Sequence, residues 1–197
     1  MLTKTEAEIM KLATSKIIER FSIKQIAESI KKPYPLVHRS IKQLLEKGLL
    51  IKDEKGFIIL NLNENHAELA YIESMRAEEF LEHNKTIHLF AKDALSRLAD
   101  DFLAVLIFGS AVEGKQHRDV DVLFVVSDSA NLNELEKKIR TISSTFTKEF
   151  DISVIAKDSA YEMLSKRDQK NIFNESLNKH IILFGAENYY RFIAHAR

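Results

Sequence analysis

Two unbroken apolar runs constrain this chain more than any other feature. Leu103-Ala104-Val105-Leu106-Ile107-Phe108 and Val122-Leu123-Phe124-Val125-Val126 are short, branched and free of charge, which is the pattern of strands buried in a sheet. Between them stand Gly109-Ser110 and then, after eight residues, Asp119-Val120-Asp121. Side chains two apart in a strand share a side, so Asp119 and Asp121 converge. Two carboxylates so close repel unless a cation lies between them, and all-oxygen ligation favours Mg²⁺ or Mn²⁺ over zinc. Gly109 permits close backbone approach, and the Ser110 hydroxyl with the amides of a short following helix can hold a phosphate. A third carboxylate, Asp151, opens the apolar stretch Phe150-Asp151-Ile152-Ser153-Val154-Ile155 after a helical pattern over about 132–146. An adjacent strand would bring it beside the pair. A phosphate cradle next to a carboxylate metal site is the arrangement used for phosphoryl or nucleotidyl transfer.

The first sixty residues read differently. Ile9, Leu12, Ala13 and Ile17 form one stripe of a helix predicted over Thr5 to Arg20. Ser22 with Gln25 three places on is a capping box that starts a second helix at Ile26 and Ile30. Pro33 and Pro35 stop it, and a third helix runs from about Pro35 to Lys47, ending at Gly48. The apolar pieces Leu49–Ile51 and Phe57–Leu60, joined by a charged turn ending in Gly56, predict a hairpin. Helix, helix-turn-helix and hairpin in this order make a winged helix, and Val37 to Leu50 resembles the recognition helix and wing entry of archaeal and bacterial winged-helix regulators. Val37, Ile41, Leu44 and Leu45 then face inward. Tyr34, His38, Arg39, Lys42 and Gln43 face outward toward base edges and phosphates, with Lys52 and Lys55 as wing contacts to phosphate.

Charge supports two functions in one chain. Residues 1–60 carry 12 Lys or Arg against 7 Asp or Glu, whereas the remainder carries 17 against 22. A basic module joined to an acidic one suits a nucleic-acid-binding head on another domain. Residues 61–101 are rich in Glu, Leu, Ala and His without Gly or Pro, which predicts one long helix, or two broken near Asn84. Forty helical residues would span about 60 Å and leave a stripe for a second subunit to cover, so a homodimer is expected. His66, His83 and His88 lack metal-site spacing. The absence of cysteine excludes disulfides and thiolate metal sites. No apolar run of membrane-spanning length and no signal-peptide pattern is present, so a cytoplasmic, membrane-free protein is expected.

Phe108-Gly109-Ser110, Asp119-Val120-Asp121 and Asp151 together resemble the signature of the DNA polymerase β nucleotidyltransferase superfamily, nearest its minimal nucleotidyltransferases. Asn174–Leu177 and His180–Gly185 are similar to that branch's closing helix and strand, so the resemblance spans about 100–187. With the winged helix over 1–60 and the helical linker over 61–101, the resemblance implies an α+β chain whose polymerase β-like domain, with a mixed sheet, spans 102–197. It implies Asp119, Asp121 and Asp151 as metal ligands and catalytic carboxylates. Gly109, Ser110, Lys115 and Arg118 are then expected on the phosphates of a nucleoside triphosphate. The chain departs from the family pattern at Val112-Glu113-Gly114, where an acid replaces a basic residue, and at Arg118, which stands in place of serine. Transfer of a nucleoside monophosphate to a protein or RNA hydroxyl is one expectation. The other is a transcriptional regulator, or an antitoxin-type autorepressor, whose catalytically weak domain senses nucleotide.

Overall fold

The computed structural model describes residues 2–98, 102–113, 119–166 and 171–195. Helix α1 (Lys4–Ser15) starts in a reciprocal cap, Thr3 Oγ1 accepting from the Glu6 amide while the Glu6 carboxylate accepts from the Thr3 amide at 2.6 Å. The buried Glu6 also takes Lys47 Nζ at 2.7 Å, which fastens α1 to the end of α3 (Tyr34–Glu46). The helix predicted to reach Arg20 stops at Ser15. Its continuation is drawn away because the Ile17 amide donates to Leu177 O and Phe21 exchanges two backbone hydrogen bonds with Ile58. The Ser22–Gln25 box caps α2 (Ile23–Ser29) as the sequence predicts. Strands β1 (Leu50–Lys52) and β2 (Ile58–Leu60) pair antiparallel, Leu50 opposite Leu60, and form the wing.

The middle segment is two helices, α4 (His66–His83) and α5 (Lys85–Leu98), broken at Asn84. Helix α4 is therefore about 27 Å long at 1.5 Å per residue, less than half the span expected of one continuous helix. It packs against α1, against β6 (His180–Phe184) and against α9 (Ala186–His195). Leu69, Ile72, Phe90 and Leu98 of these helices are buried within the chain, whereas Met75, Leu81 and Leu95 are half-buried.

The C-terminal half is a four-stranded mixed sheet. Strands β3 (Phe102–Phe108), β4 (Asp119–Val126), β5 (Glu149–Ala156) and β6 stand in the order β5-β4-β3-β6, and only β4 and β5 run parallel. The crossover between that pair is α6 (Leu132–Ser143). Period-two alternation divides the sheet's side chains between two cores. Val105, Ile107, Val122 and Phe124 face α5 and α6, whereas Ala104, Leu106, Leu123 and Val125 face the other way. That second face is covered by α7 (Lys157–Ser165), α8 (Ile172–Ser176) and α9. Its apolar core is continuous with Ile9, Ile41, Leu44 and Leu60 of the winged helix. Among the described residues no helix is long and apolar enough to cross a membrane.

Candidate carboxylate site and nucleic-acid face

Strand parity puts Asp119 and Asp121 on the same face as Leu123 and Val125. Because β5 is the parallel neighbour of β4, Asp151 stands directly opposite Asp121, and Asp119 opposite Glu149. Strand order thus puts the three carboxylates at one end of the sheet. Asp119 and Asp151 are exposed and Asp121 is half-buried. Burial first, then the negative charges of Asp119 and Asp151, push the Asp121 carboxyl above its ordinary range, with Glu175 of α8 adding to the effect. Sequence reading did not single out Glu175 for the site, since nothing local says that α8 will pack on β3.

Gly109 ends β3 at φ +73°, a conformation that favours glycine, and a Cβ built on it would lie 2.5 Å from Asp121 Oδ2. The close approach read from sequence is therefore an approach to the carboxylate itself. Gly109–Glu113 forms a turn of 3-10 helix with Ser110 exposed. The Gly109 amide donates to Lys179 O at 3.2 Å. Lys179 Nζ in turn pairs with Glu113 at 2.6 Å. Glu113 is thus met by a lysine from the segment before β6. That cation too escaped the sequence reading, because β6 becomes a neighbour of β3 only in the folded sheet. Lys115 and Arg118, expected on the phosphates, lie outside the described residues.

Asp119, Asp121, Asp151 and Glu175 together offer hard oxygen donors, the chemistry that suits Mg²⁺ or Mn²⁺. Among the described residues, no three His, Asp or Glu side chains are gathered closely enough to enclose an ion as they stand.

The winged helix sorts its side chains as predicted. Val37, Ile41 and Leu44 are buried and Leu45 is half-buried, whereas Tyr34, His38, Arg39, Lys42, Gln43, Lys52 and Lys55 are all exposed. Tyr34, His38 and Lys42 recur every four residues and form one outward stripe, and the Tyr34 and His38 rings stack with centroids 6.0 Å apart. Leu36 and Ile51 add exposed apolar surface on the same helix and on the wing. Asp53 builds the wing turn by accepting from the Lys55 and Phe57 amides while Arg20 clamps its other oxygen at 3.0 Å. Lys52 and Lys55 therefore stand on an ordered hairpin. Among the described residues, neither they nor Arg39 form an ion pair.

No family model and no curated protein matches the chain. Among solved structures it is similar to an IclR homolog from Microbacterium sp. strain HM58-2, at 13% identity and a TM-score of 0.29, over 66% of this chain and 50% of that one. This chain spans about half the length of that protein, and a likeness of that score assigns neither fold nor activity.

Proposed function

We propose that the chain is a nucleic-acid-binding regulator in which α3 enters the major groove of duplex DNA and the β1–β2 hairpin lies along the phosphate backbone. The carboxylate domain then serves as a weakly catalytic sensor of nucleotide. The observation that carries this reading is the clean division of α3, with every outward polar residue exposed and the opposite stripe buried. Tyr34, His38, Arg39, Lys42 and Gln43 supply stacking, a guanidinium, an ammonium and an amide, the groups that read base edges and phosphates. Fluorescence anisotropy against duplex DNA selected from a random pool tests it. Arg39→Ala should weaken binding by about 1–3 kcal/mol if it meets a base edge, whereas Lys42→Ala or Lys55→Ala at a phosphate should lower the salt slope by about one. Wild-type affinity in all three variants would refute the assignment of this face.

A second reading is favoured by the pairing of Asp121 with Asp151 and the contact of Gly109 with Asp121. In it the chain transfers a nucleoside monophosphate from a nucleoside triphosphate to a protein or RNA hydroxyl. Asp119 and Asp121 would hold Mg²⁺ or Mn²⁺, and Asp151 would share a metal and take the hydroxyl proton. The Gly109–Ser110 turn would orient the phosphates. A bound divalent cation would supply charge neutralisation at the transferring phosphate. Asp121→Asn should abolish transfer of label from α-³²P nucleoside triphosphates and should weaken Mn²⁺ binding followed by electron paramagnetic resonance. Equal labelling by variant and wild type would end the transferase reading and leave the sensor.

A further inference from the structure

A second cavity opens at the end of the sheet away from the carboxylates. Val125, which lines it, is four residues along β4 from Asp121, or about 13 Å at roughly 3.3 Å per residue. The cavity measures about 370 Å³, within the range of roughly 300–1,000 Å³ typical of small-molecule sites. Its base is Val125, Tyr189 and Phe192, all buried. Tyr161 from α7 forms a side wall, its ring centroid 4.2 Å from that of Phe192.

The charged residues lining the cavity, Lys157 and Arg191, are both cations. Lys157 and His195 stand on its rim, and among the described residues no acidic side chain lines the cavity. Arg191, also on the rim, is already neutralised by Glu187 at 2.5 Å. Lys157 Nζ lies 5.8 Å from the Tyr161 ring centroid, and among the described residues no carboxylate is within ion-pairing distance of it. His195 uses Nδ1 against Arg191 O at 2.6 Å, which leaves Nε2 as its other polar atom. An aromatic base with one unneutralised ammonium at its mouth complements a flat apolar body that carries one anionic group.

We propose that this cavity binds a small organic anion, an aromatic ring bearing a single carboxylate or phosphate. The ring lies against Tyr161 and Phe192 and the anionic group meets Lys157. Among the described residues the lining holds no paired carboxylates, and the proposed role is recognition. This proposal goes beyond the carboxylate site and stands independently of it. It also gives a regulator an effector site. On α9 the residue next to Tyr189 is Tyr190, which hydrogen-bonds to Glu73 of α4, and α4 packs against α1 of the winged helix.

Saturation-transfer NMR and calorimetry on the full chain test it, with benzoate, phenyl phosphate and the neutral isostere benzamide as probes and inorganic phosphate as control. Benzoate or phenyl phosphate should bind, and whichever binds more tightly identifies the head group as carboxylate or phosphate. Benzamide should bind about tenfold or more weakly, the loss of one charge-assisted contact. Lys157→Gln should bring the anion down to the level of benzamide without lowering the melting temperature. Phe192→Leu should weaken anion and benzamide alike. Failure of both organic anions to bind, equal binding of benzamide, inorganic phosphate binding as tightly as phenyl phosphate, or an unaffected Lys157→Gln variant would each overturn the proposal.

Discussion

Replacing Arg76 by Leu should destabilise the protein by about 3–5 kcal/mol at pH 7, the cost of leaving a buried charge without its partner. Arg76 Nη1 sits 2.6 and 2.8 Å from the two oxygens of Glu73, and Nη2 donates to His180 O at 2.6 Å. Tyr190 donates to Glu73 Oε1 at 2.7 Å, and every one of these side chains is buried. Burial alone would raise the Glu73 pKa, but the Arg76 charge, with the His180 and Tyr190 contacts, carries it down from 4.5 to about 2. A carboxyl depressed in the folded state stabilises fully above its unfolded pKa and loses that contribution as pH falls through the folded one. The wild-type protein should therefore lose about 3 kcal/mol between pH 4.5 and about 2 from this group. In Arg76→Leu the opposing burial dominates, Glu73 takes up a proton more readily, and the penalty should shrink as pH falls from 7 toward 5. Urea unfolding at both pH values measures it. A penalty below about 1 kcal/mol, the worth of an exposed pair, or one equal at both pH values, would show that Arg76 is not holding Glu73.

Gly185→Ala should be comparably damaging for a steric reason. Gly185 joins β6 to α9 at φ +71°, and a Cβ there would lie 2.0 Å from Leu103 O and 3.0 Å from the Ala104 Cα. The obstacle is the backbone of β3, which cannot rotate aside like a side chain. Left-handed strain contributes about 1–2 kcal/mol, and parting β3 from the start of α9 adds about 1–3 kcal/mol of overpacking. A melting temperature lower by roughly 6–12 °C corresponds to about 3 kcal/mol or slightly more in a chain of this size. Gly56→Ala is the control, because Gly56 has φ +81° but nothing within 4 Å of an added Cβ. That substitution should cost only the strain, or roughly 2–4 °C for each kcal/mol. Equal shifts for the two variants would show that the collision at Leu103 is relieved.

The parts of the fold that announce themselves do so through local chemistry. The Ser22–Gln25 box, the proline break before α3 and the unbroken apolar runs of β3 and β4 each act over a few residues. Their outcomes follow from spacing alone, as does the convergence of Asp119 with Asp121. Asp151 needs one more step, the parallel pairing of β5 with β4. Glu175 and Lys179 need the complete strand order, since β6 lies beside β3 and not beside its sequence neighbours. Helix α4 misleads for a different reason. It is covered on more than one side, by α1, β6 and α9, so its burial does not follow a single stripe, and Glu73 and Arg76 are buried with no local signal to mark them. Helices α7 and α9 carry no cap or break that sets them apart in the sequence reading.

The Ile17 amide on Leu177 O and the Ile18 amide on Asn178 Oδ1 join the winged helix to the chain just after α8, and one apolar core runs through both halves. Domain shuffling usually treats a head of this kind as a cassette that can be cut out and pasted elsewhere. Here a cut after Leu60 would pass through the interior that Ile9, Ile17 and Leu44 share with Leu106, Leu123 and Tyr189. The winged helix and the sheet are accordingly one packing unit with a single interior between them.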